Sequence, residues 1–274
     1  MRKVLHIILI QGLIAGILSN CSYGQVDTSF RLINTYTYDI SSFAVNNLNE
    51  LYVINSANQL KKFNQKGDSV GVFNEVTKYG ELSYVQTQNP WRTILFYKKF
   101  STIVLLDKYL NVLTNINLRK HNIFRVQTVT SSYDNNLWLF DEQDSKLKKL
   151  DDSGNLLLET VDLRIIFDSV PSPTTIIDHN GFVYLYDTQK GLYIFDHYGT
   201  FKNKITFLHW KDLEVSGKFI YGFDDNKFYR YSIGTLKLEE FALPAAFKNY
   251  TSLKVINGNL YLLKTNRLNI YSIN

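Results

Sequence analysis

The feature of this sequence that most restricts its fold is an internal repeat. Six times after residue 40, a short apolar strand is followed by a second apolar strand that begins eight to ten residues later. The first strands begin at Leu51, Ile94, Leu137, Val183, Ile220 and Leu260. Neighbouring repeats are thus 37 to 46 residues apart, a spacing typical of propeller blades. The repeat predicts an all-β fold, a six-bladed β-propeller with four-stranded blades.

Each repeat also has room for an inner strand before these two strands. The candidate inner strands are rich in Ser, Thr and Gln, as expected where alternate residues face a narrow, wet channel. They are residues 42–46, 84–88, 126–131, 174–178, 213–216 and 252–256. Asn and Gly follow most of them, and these residues tolerate the positive φ of tight hairpins. A recurring Asp at 107, 151 and 196 is interpreted as an Asx-turn acceptor between the third and fourth strands.

The two ends of the chain predict how the ring closes. The sixth repeat stops at residues 270–273 with no outer strand after it, whereas residues 30–36 form a spare strand before the first blade. We expect residues 31–36 to be the outer strand of the last blade, because closure removes an open sheet edge. A β-sandwich requires no period near 40, and the alternating β-branched and aromatic residues argue against helices.

The amino terminus predicts export. Arg2 and Lys3 precede an apolar run too short to span a bilayer comfortably, which is typical of a secretory signal peptide. We expect residues 1–24 to be removed after Gly24, leaving residues 25–274 as a single domain; the alternative is lipoprotein processing at Cys21. Cleavage after Gly24 removes the only cysteine, which excludes disulfides and thiolate chemistry, and lowers the formal net charge from +5 to +3. No basic run is dense enough to indicate nucleic-acid binding.

The repeat period and apolar pattern resemble those of the six-bladed propellers of exported bacterial proteins, the group with NHL-like and TolB-like repeats. The resemblance covers nearly all of residues 25–274, and the Trp-Asp dipeptide of WD40 repeats is absent. It implies a soluble or lipid-tethered propeller in the periplasm or at the periplasmic face of the outer membrane. No motif of that group transfers a catalytic residue to this sequence.

The candidate binding surface is the rim formed by the connections between blades, where propellers usually bind ligands. These connections are modestly basic and include the aromatic residues Phe124, Phe167 and Tyr250. The candidate rim residues are Arg119, Lys120, His121, Arg125, Arg164, His209, Trp210 and Lys211. Arg and exposed aromatics favour protein binding, whereas the competing interpretation is scattered solvated charge with the aromatics in the core.

The sequence therefore favours a non-enzymatic interaction or assembly scaffold that has no cofactor and whose partner is another envelope protein. It does not determine the oligomeric state. The alternative is a polysaccharide-binding or glycan-degrading propeller, in which two of Asp178, Asp212 and Glu214 converge at the channel mouth. A metal site is not expected, because His179 and His197 are predicted on the face opposite His121 and His209. Neither a nucleophile motif nor a Gly-rich phosphate loop is present.

Overall fold

Residues 30–273 are described by a computed structural model, in which 24 strands form six antiparallel four-stranded sheets. The first strand is β1 (Phe30–Thr37). Blades 1 to 3 contain β2 (Ser42–Val45), β3 (Leu51–Ile54), β4 (Leu60–Phe63) and β5 (Ser69–Phe73); β6 (Tyr84–Gln86), β7 (Arg92–Tyr97), β8 (Thr102–Asp107) and β9 (Val112–Asn117); β10 (Val129–Ser131), β11 (Leu137–Asp141), β12 (Lys146–Leu150) and β13 (Leu156–Glu159). Blades 4 and 5 contain β14 (Thr175–His179), β15 (Phe182–Asp187), β16 (Gly191–Asp196) and β17 (Phe201–Ile205); β18 (Lys211–Ser216), β19 (Phe219–Phe223), β20 (Lys227–Ser232) and β21 (Leu238–Ala242).

Blade 6 combines both ends of the described chain. Its strands are β22 (Ser252–Ile256), β23 (Asn259–Lys264), β24 (Arg267–Ile273) and then β1, which pairs antiparallel with β24. This pairing agrees with the closure expected from the sequence. The predicted all-β, six-bladed propeller is confirmed, whereas the predicted signal peptide at residues 1–24 and Cys21 lie outside the described residues.

In the described chain, the short helical turns lie in the connections between blades, except for one that lies between the two middle strands of blade 2. They are one α-helical turn, Val76–Tyr79, and four 3₁₀ turns, Lys98–Phe100, Leu118–His121, Leu163–Ile165 and Ala245–Phe247. In residues 30–273 there is no helix long and apolar enough to cross a membrane.

The apolar core of the described chain is divided into six clusters, one at each boundary between neighbouring blades. The cluster between blades 6 and 1, for example, joins Leu263 and Leu268 to Phe43 and Val53. The middle strands are almost wholly buried because each blade is covered on both sides by its neighbours, which explains their continuous apolar sequence. The hydrophobic effect therefore holds the ring together chiefly between blades.

The two faces of the ring differ in the loops that form them. We call one side the connection face. It contains the connections between blades and the turns between the second and third strands of each blade. The opposite side, the hairpin face, contains the turns between the first and second strands and between the third and fourth strands. Backbone hydrogen bonds join the two sets of loops on the connection face. They run from Leu118 to Ser101, from Leu163 to Ser145 and from His209 to Thr188, at 2.9, 2.9 and 2.7 Å.

In blades 1 to 4, the turns between the third and fourth strands share one side-chain hydrogen-bond acceptor. Asp107 Oδ1 accepts hydrogen bonds from the backbone N–H groups of Tyr109 and Asn111, each at 2.8 Å. Asp151 and Asp196 repeat this arrangement two and four residues ahead, which confirms the Asx-turn interpretation. In blade 1, Asn64 takes the place of this Asp and accepts the same two backbone hydrogen bonds, from Lys66 and Asp68.

Among the inner strands that are shorter than expected, β10 differs most from its predicted range. Strand β10 covers Val129–Ser131, and the predicted residues 126–128 belong to the preceding connection. The reason is the side chain of Gln127, which donates to Glu142 Oε2 at 3.0 Å and accepts from Lys98 Nζ. These contacts hold this part of the chain on the connection face instead of in the sheet.

Candidate functional site

The inner strands enclose a cavity at the channel mouth on the hairpin face. Its volume is about 340 Å³, and its lining includes Tyr84, Gln86, His179, Glu214 and Lys254. This volume lies at the lower end of the range for small-molecule sites, roughly 300–1,000 Å³. Much of the lining is polar, so an apolar molecule in this cavity would leave these donors and acceptors unpaired.

Glu214 is the acidic group inside this cavity. Burial in the channel raises the pKa of Glu214 to about 7, with a smaller contribution from Asp212 in the same direction, although Lys254 opposes the shift. The Lys254 Nζ lies 4.0 Å from Glu214 Oε1, in the neighbouring blade. The pKa of Tyr84 is also raised, by burial first and by the charge of Glu214 second. Near neutral pH, Glu214 therefore exists in both protonation states and can either donate or accept a hydrogen bond.

Asp178 does not join Glu214 in the channel cavity. Its carboxylate is buried between blades 3 and 4, where Oδ2 accepts from Trp138 Nε1 at 3.0 Å and from Ser132 Oγ at 3.3 Å. Its other oxygen, Oδ1, lies 3.0 Å from His197 Nε2. These contacts show that Asp178 links blade 3 to blade 4.

Asp212 links blades 5 and 6 in a similar way. Its Oδ2 accepts from the backbone N–H of Leu253 at 2.8 Å and from Ser252 Oγ at 3.2 Å. The alternative expected two of these three carboxylates to converge at the channel mouth, but of the three only Glu214 lines the channel cavity. Asp178 points into the contact between blades 3 and 4 and so does not face Glu214.

The candidate rim residues lie in three successive connections on the connection side of the ring. Arg119, Lys120 and His121 belong to the turn Leu118–His121, and Arg125 follows shortly after it. Arg164 lies in the next connection, and His209 and Trp210 lie in the third, directly before Lys211 at the start of β18. Nearby acids compensate part of this charge. Arg164 pairs with Asp162 at 2.6 Å, Lys211 pairs with Asp225, and Arg125 lies 3.9 Å from Glu142.

Trp210 is not an exposed rim aromatic, so this expectation is corrected. Its side chain is only 5% exposed and is stacked between Phe207 and Tyr229, with ring centroids 4.0 and 4.8 Å away. Gly222 makes room for the indole, because a Cβ there would lie 2.2 Å from Trp210 Cε3. Phe167 and Tyr250 are half-buried, and of the four aromatics expected on the rim only Phe124 is exposed.

A more concentrated basic patch lies beside the predicted rim. Lys98 and Lys99 occupy the turn between the middle strands of blade 2, and Arg119 Nη2 donates to the Lys99 carbonyl at 3.3 Å. Phe100 is 47% exposed and packs over Gly80, two residues after Lys78. We define the basic patch as Lys78, Lys98, Lys99, Arg119 and Lys120 around Phe100. In residues 30–273 no carboxylate oxygen lies within 4.0 Å of these five cations.

Lys98 and Lys99 are not among the rim residues predicted from the sequence, because they lie in a turn within a blade and not in a connection between blades. The tandem lysines before Phe100 were the available signal. Their proximity to Arg119 depends on the hydrogen bond between Leu118 and Ser101, which brings the connection after blade 2 against the turn inside that blade.

The histidines are dispersed. His121 packs against Gly154 in a turn of blade 3, and His209 Nδ1 lies 3.4 Å from Gln189 Nε2. His179 Nε2 donates to the Gly217 carbonyl at 2.9 Å on the hairpin face. Within the described part of the chain, no group of three or more His, Cys, Asp or Glu side chains could hold a metal ion.

Comparisons with known proteins bear on the fold. No protein family model and no curated protein matches the sequence. Among solved structures, a catalytically inactive virginiamycin B lyase from Staphylococcus aureus is 11% identical with a TM-score of 0.61, over 84% of this chain and 81% of the lyase. The Pan2 WD40 domain of Neurospora crassa is 11% identical with a TM-score of 0.61, over 85% and 78% of the two chains.

A third similar structure is PorZ, a bacterial surface component of the type-IX secretion system of Porphyromonas gingivalis. It is 12% identical with a TM-score of 0.55, and the match covers 81% of this chain but only 29% of PorZ. At such identities these similarities establish the propeller fold alone. Propellers carry both enzymes and scaffolds, so this fold is compatible with several classes of function.

Proposed function

We propose that this protein is an exported, non-enzymatic propeller that acts as an interaction scaffold in the bacterial envelope, in the periplasm or at the periplasmic face of the outer membrane. Its partner is another envelope protein with an acidic surface. Export rests on the predicted signal peptide at residues 1–24. PorZ shows that a protein containing a similar propeller serves on a bacterial surface.

The observation that carries this proposal is the uncompensated charge of the basic patch. Lys98, Lys99, Arg119 and Lys120 are exposed, Lys98 and Lys99 immediately precede the exposed Phe100, and Arg119 is hydrogen-bonded to the Lys99 carbonyl. Like charges held close together repel one another, and an acidic partner relieves this repulsion. An apolar ring surrounded by a polar rim is also the arrangement found at protein interfaces.

The rest of the predicted rim contributes less to such binding. Arg164 and Lys211 each have a nearby carboxylate, Asp162 and Asp225, so a partner gains little from contacting them. The patch therefore localises the interface to the connection face at blades 1 to 3. Complementary charge of this kind mainly raises the association rate, and its effect decreases with salt.

The test is crosslinking in intact cells. A photo-crosslinking residue at Phe100 should capture one protein, whereas the same residue at Tyr198, exposed in a turn of the hairpin face, should not. The double variant Lys99→Glu with Arg119→Glu should abolish the capture. The control Lys211→Glu also reverses a connection-face charge, but at a lysine that already has an acidic partner, and it should leave the capture intact.

Two results would oppose the proposal. Capture at Phe100 that does not exceed capture at Tyr198 removes the interface, and retained capture in the Lys99→Glu, Arg119→Glu variant removes the role of charge. The intact mass of the mature protein tests processing independently. A mass beginning at Gln25 without acyl chains supports cleavage after Gly24, and an acylated mass beginning at Cys21 supports the lipoprotein alternative.

A further inference from the structure

The hairpin face contains a groove that extends from the channel mouth towards the outer edge of the ring. Residues 88–91 of blade 2 lie along this groove. Gln88 lines both the channel cavity and a second cavity of about 290 Å³, and Asn89 also lines the second cavity. Pro90 and Trp91 line a third cavity of about 190 Å³ between blades 1 and 2. Four consecutive residues thus border three neighbouring cavities.

Tyr133 provides an exposed aromatic ring beside the second cavity. It is 64% exposed, yet its ring is stacked on His197 with centroids 4.1 Å apart and planes 3° apart. Lys149 Nζ lies 4.7 Å from the centroid of the same ring. His197 is in turn held by buried Asp178 at 3.0 Å. His197 and Lys149 therefore orient the ring, while most of the residue's surface remains exposed to solvent.

Trp91 and Tyr109 provide a second aromatic surface at the third cavity. They are 66% and 57% exposed, and Lys108 Nζ lies 4.8 Å and 4.9 Å from their ring centroids. Leaving a tryptophan this exposed is unfavourable, because its large apolar surface remains in water. Both rings are held in place by their contact with Lys108.

Side-chain amides connect the two aromatic surfaces. Asn89 Oδ1 accepts from the backbone N–H of Trp91 at 2.9 Å, and Asn89 Nδ2 donates to Asn135 Oδ1 at 2.7 Å. Asn135 lies two residues after Tyr133 and lines the same cavity. We define the aromatic groove as Trp91, Tyr109, Asn89, Asn135 and Tyr133.

The charges around the groove are mostly compensated. Glu50 pairs with buried Lys62 at 2.8 Å, and Asp178 is bonded to Trp138 and His197. Lys108 is the principal remaining cation, and its ammonium group already lies over two rings. A strongly charged ligand such as a single-stranded nucleic acid would need a line of cations along the groove, which these residues do not provide.

We propose that the aromatic groove binds a neutral oligosaccharide, with one pyranose ring on Tyr133 and another on Trp91. The C–H groups on one face of a sugar ring pack against a flat aromatic ring, and its hydroxyl groups match amides that both donate and accept. This proposal goes beyond the scaffold function, because it concerns the opposite face and different residues. It assigns binding only and requires no catalytic carboxylate.

The three tryptophans of the chain provide a direct readout. Trp91 is exposed, whereas Trp138 and Trp210 are 0% and 5% exposed, so acrylamide should quench mainly Trp91. We would titrate the protein with chitotriose, cellotriose and maltotriose up to about 10 mM, a range that detects even millimolar affinity. At least one of them should protect Trp91 from quenching, and this protection should persist at high salt because the ligand is neutral.

Variants locate the binding. Tyr133→Ala should weaken binding by about tenfold or more, the scale expected for loss of a stacking surface. By calorimetry, Trp91→Ala should do the same, whereas Trp91→Phe, which keeps a flat ring, should retain most of the affinity. Phe124→Ala is the matched control, since it removes an exposed aromatic from the other face.

Three outcomes would overturn the proposal. In the first, none of the three trisaccharides changes the quenching or releases heat. In the second, Tyr133→Ala and Trp91→Ala leave binding unchanged. In the third, the protein binds an oligothymidylate and none of the sugars. Unaltered thermal unfolding of the alanine variants excludes misfolding as the cause of lost binding. These readouts do not involve the basic patch, so failure here is distinct from failure of the scaffold proposal.

Discussion

The indole of Trp138 donates a hydrogen bond to the carboxylate of Asp178 at 3.0 Å, across the boundary between blades 3 and 4. Both side chains are buried. The same carboxylate accepts from Ser132 Oγ and from the backbone N–H of Tyr133, and it orients His197. The Asp178 carboxylate therefore accepts three hydrogen bonds from blade 3 and also orients the imidazole ring of His197, on which Tyr133 is stacked.

We predict that Asp178→Ala lowers the free energy of unfolding by about 2–4 kcal/mol, because it leaves several buried donors without an acceptor. Urea denaturation measures this loss. Asp225→Ala, which removes a carboxylate that is 79% exposed, is the control and should change stability by less than about 0.5 kcal/mol. Equal stability of the two variants would show that the Asp178 contacts are energetically unimportant.

We predict that Gly222→Ala destabilises the protein by at least about 1–3 kcal/mol, the usual cost of overpacking. The new Cβ would lie 2.2 Å from the Trp210 ring, which Phe207 and Tyr229 prevent from moving. Gly234→Ala is the matched control, since its Cβ meets nothing within 4 Å.

Thermal unfolding compares the two glycine variants. The double variant Gly222→Ala with Trp210→Leu should be less destabilised than the sum of its two single variants, because a smaller side chain relieves the clash. Additive losses in this double-mutant cycle would contradict the packing explanation.

We predict that Glu214 makes stability decrease as the pH rises from about 4.5 to about 7. Its pKa is near 4.5 in the unfolded chain and is raised to about 7 in the folded protein, mainly by burial. The folded state therefore holds this proton more tightly than the unfolded state over that interval, and the slope of stability against pH is negative.

The pH effect of Glu214 is at most a few kcal/mol, since each unit of pKa corresponds to about 1.4 kcal/mol and channel water weakens the shift. Urea denaturation of the protein and of Glu214→Gln across pH 4.5–8 isolates the contribution of this group. A difference between the two curves that does not vary with pH would disprove the assignment.

We predict that removing residues 30–37 opens the ring. Strand β1 covers the edge of β24, where Thr35 Oγ1 donates to Asn269 Oδ1 at 2.9 Å, and Phe30 packs on Phe247 with centroids 5.1 Å apart. Without β1, the edge of β24 is free to pair with another molecule.

The shortened protein should therefore associate with increasing concentration and lose its single cooperative unfolding transition, as light scattering and calorimetry would show. A peptide of residues 30–37 added in trans should reduce the association. Thr35→Ala, which removes one exposed side-chain hydrogen bond and keeps the strand, should behave like the unaltered protein. A monomeric deletion variant with unchanged unfolding would contradict the role of β1 in closure.

The sequence by itself determined the architecture. The spacing from Leu51 to Leu260 predicted six blades, and the spare strand near Leu32 agrees with the observed closure. Asp107 was interpreted correctly as a turn acceptor. These features could be predicted because strand alternation and turn chemistry depend on residues close together in the chain. The same pattern also occurs in six successive repeats, which makes it easy to recognise.

The tertiary structure alone decided which side chains meet and which way they point. It stacked Trp210 between Phe207 and Tyr229, placed Lys99 beside Arg119, and turned Asp178 away from the channel towards Trp138. The partners in such contacts lie up to 40 residues apart in the sequence, and the direction of each side chain depends on how one twisted blade packs against the next. A repeat pattern specifies each blade but not these directions, so the basic patch and the aromatic groove emerged only from the folded ring.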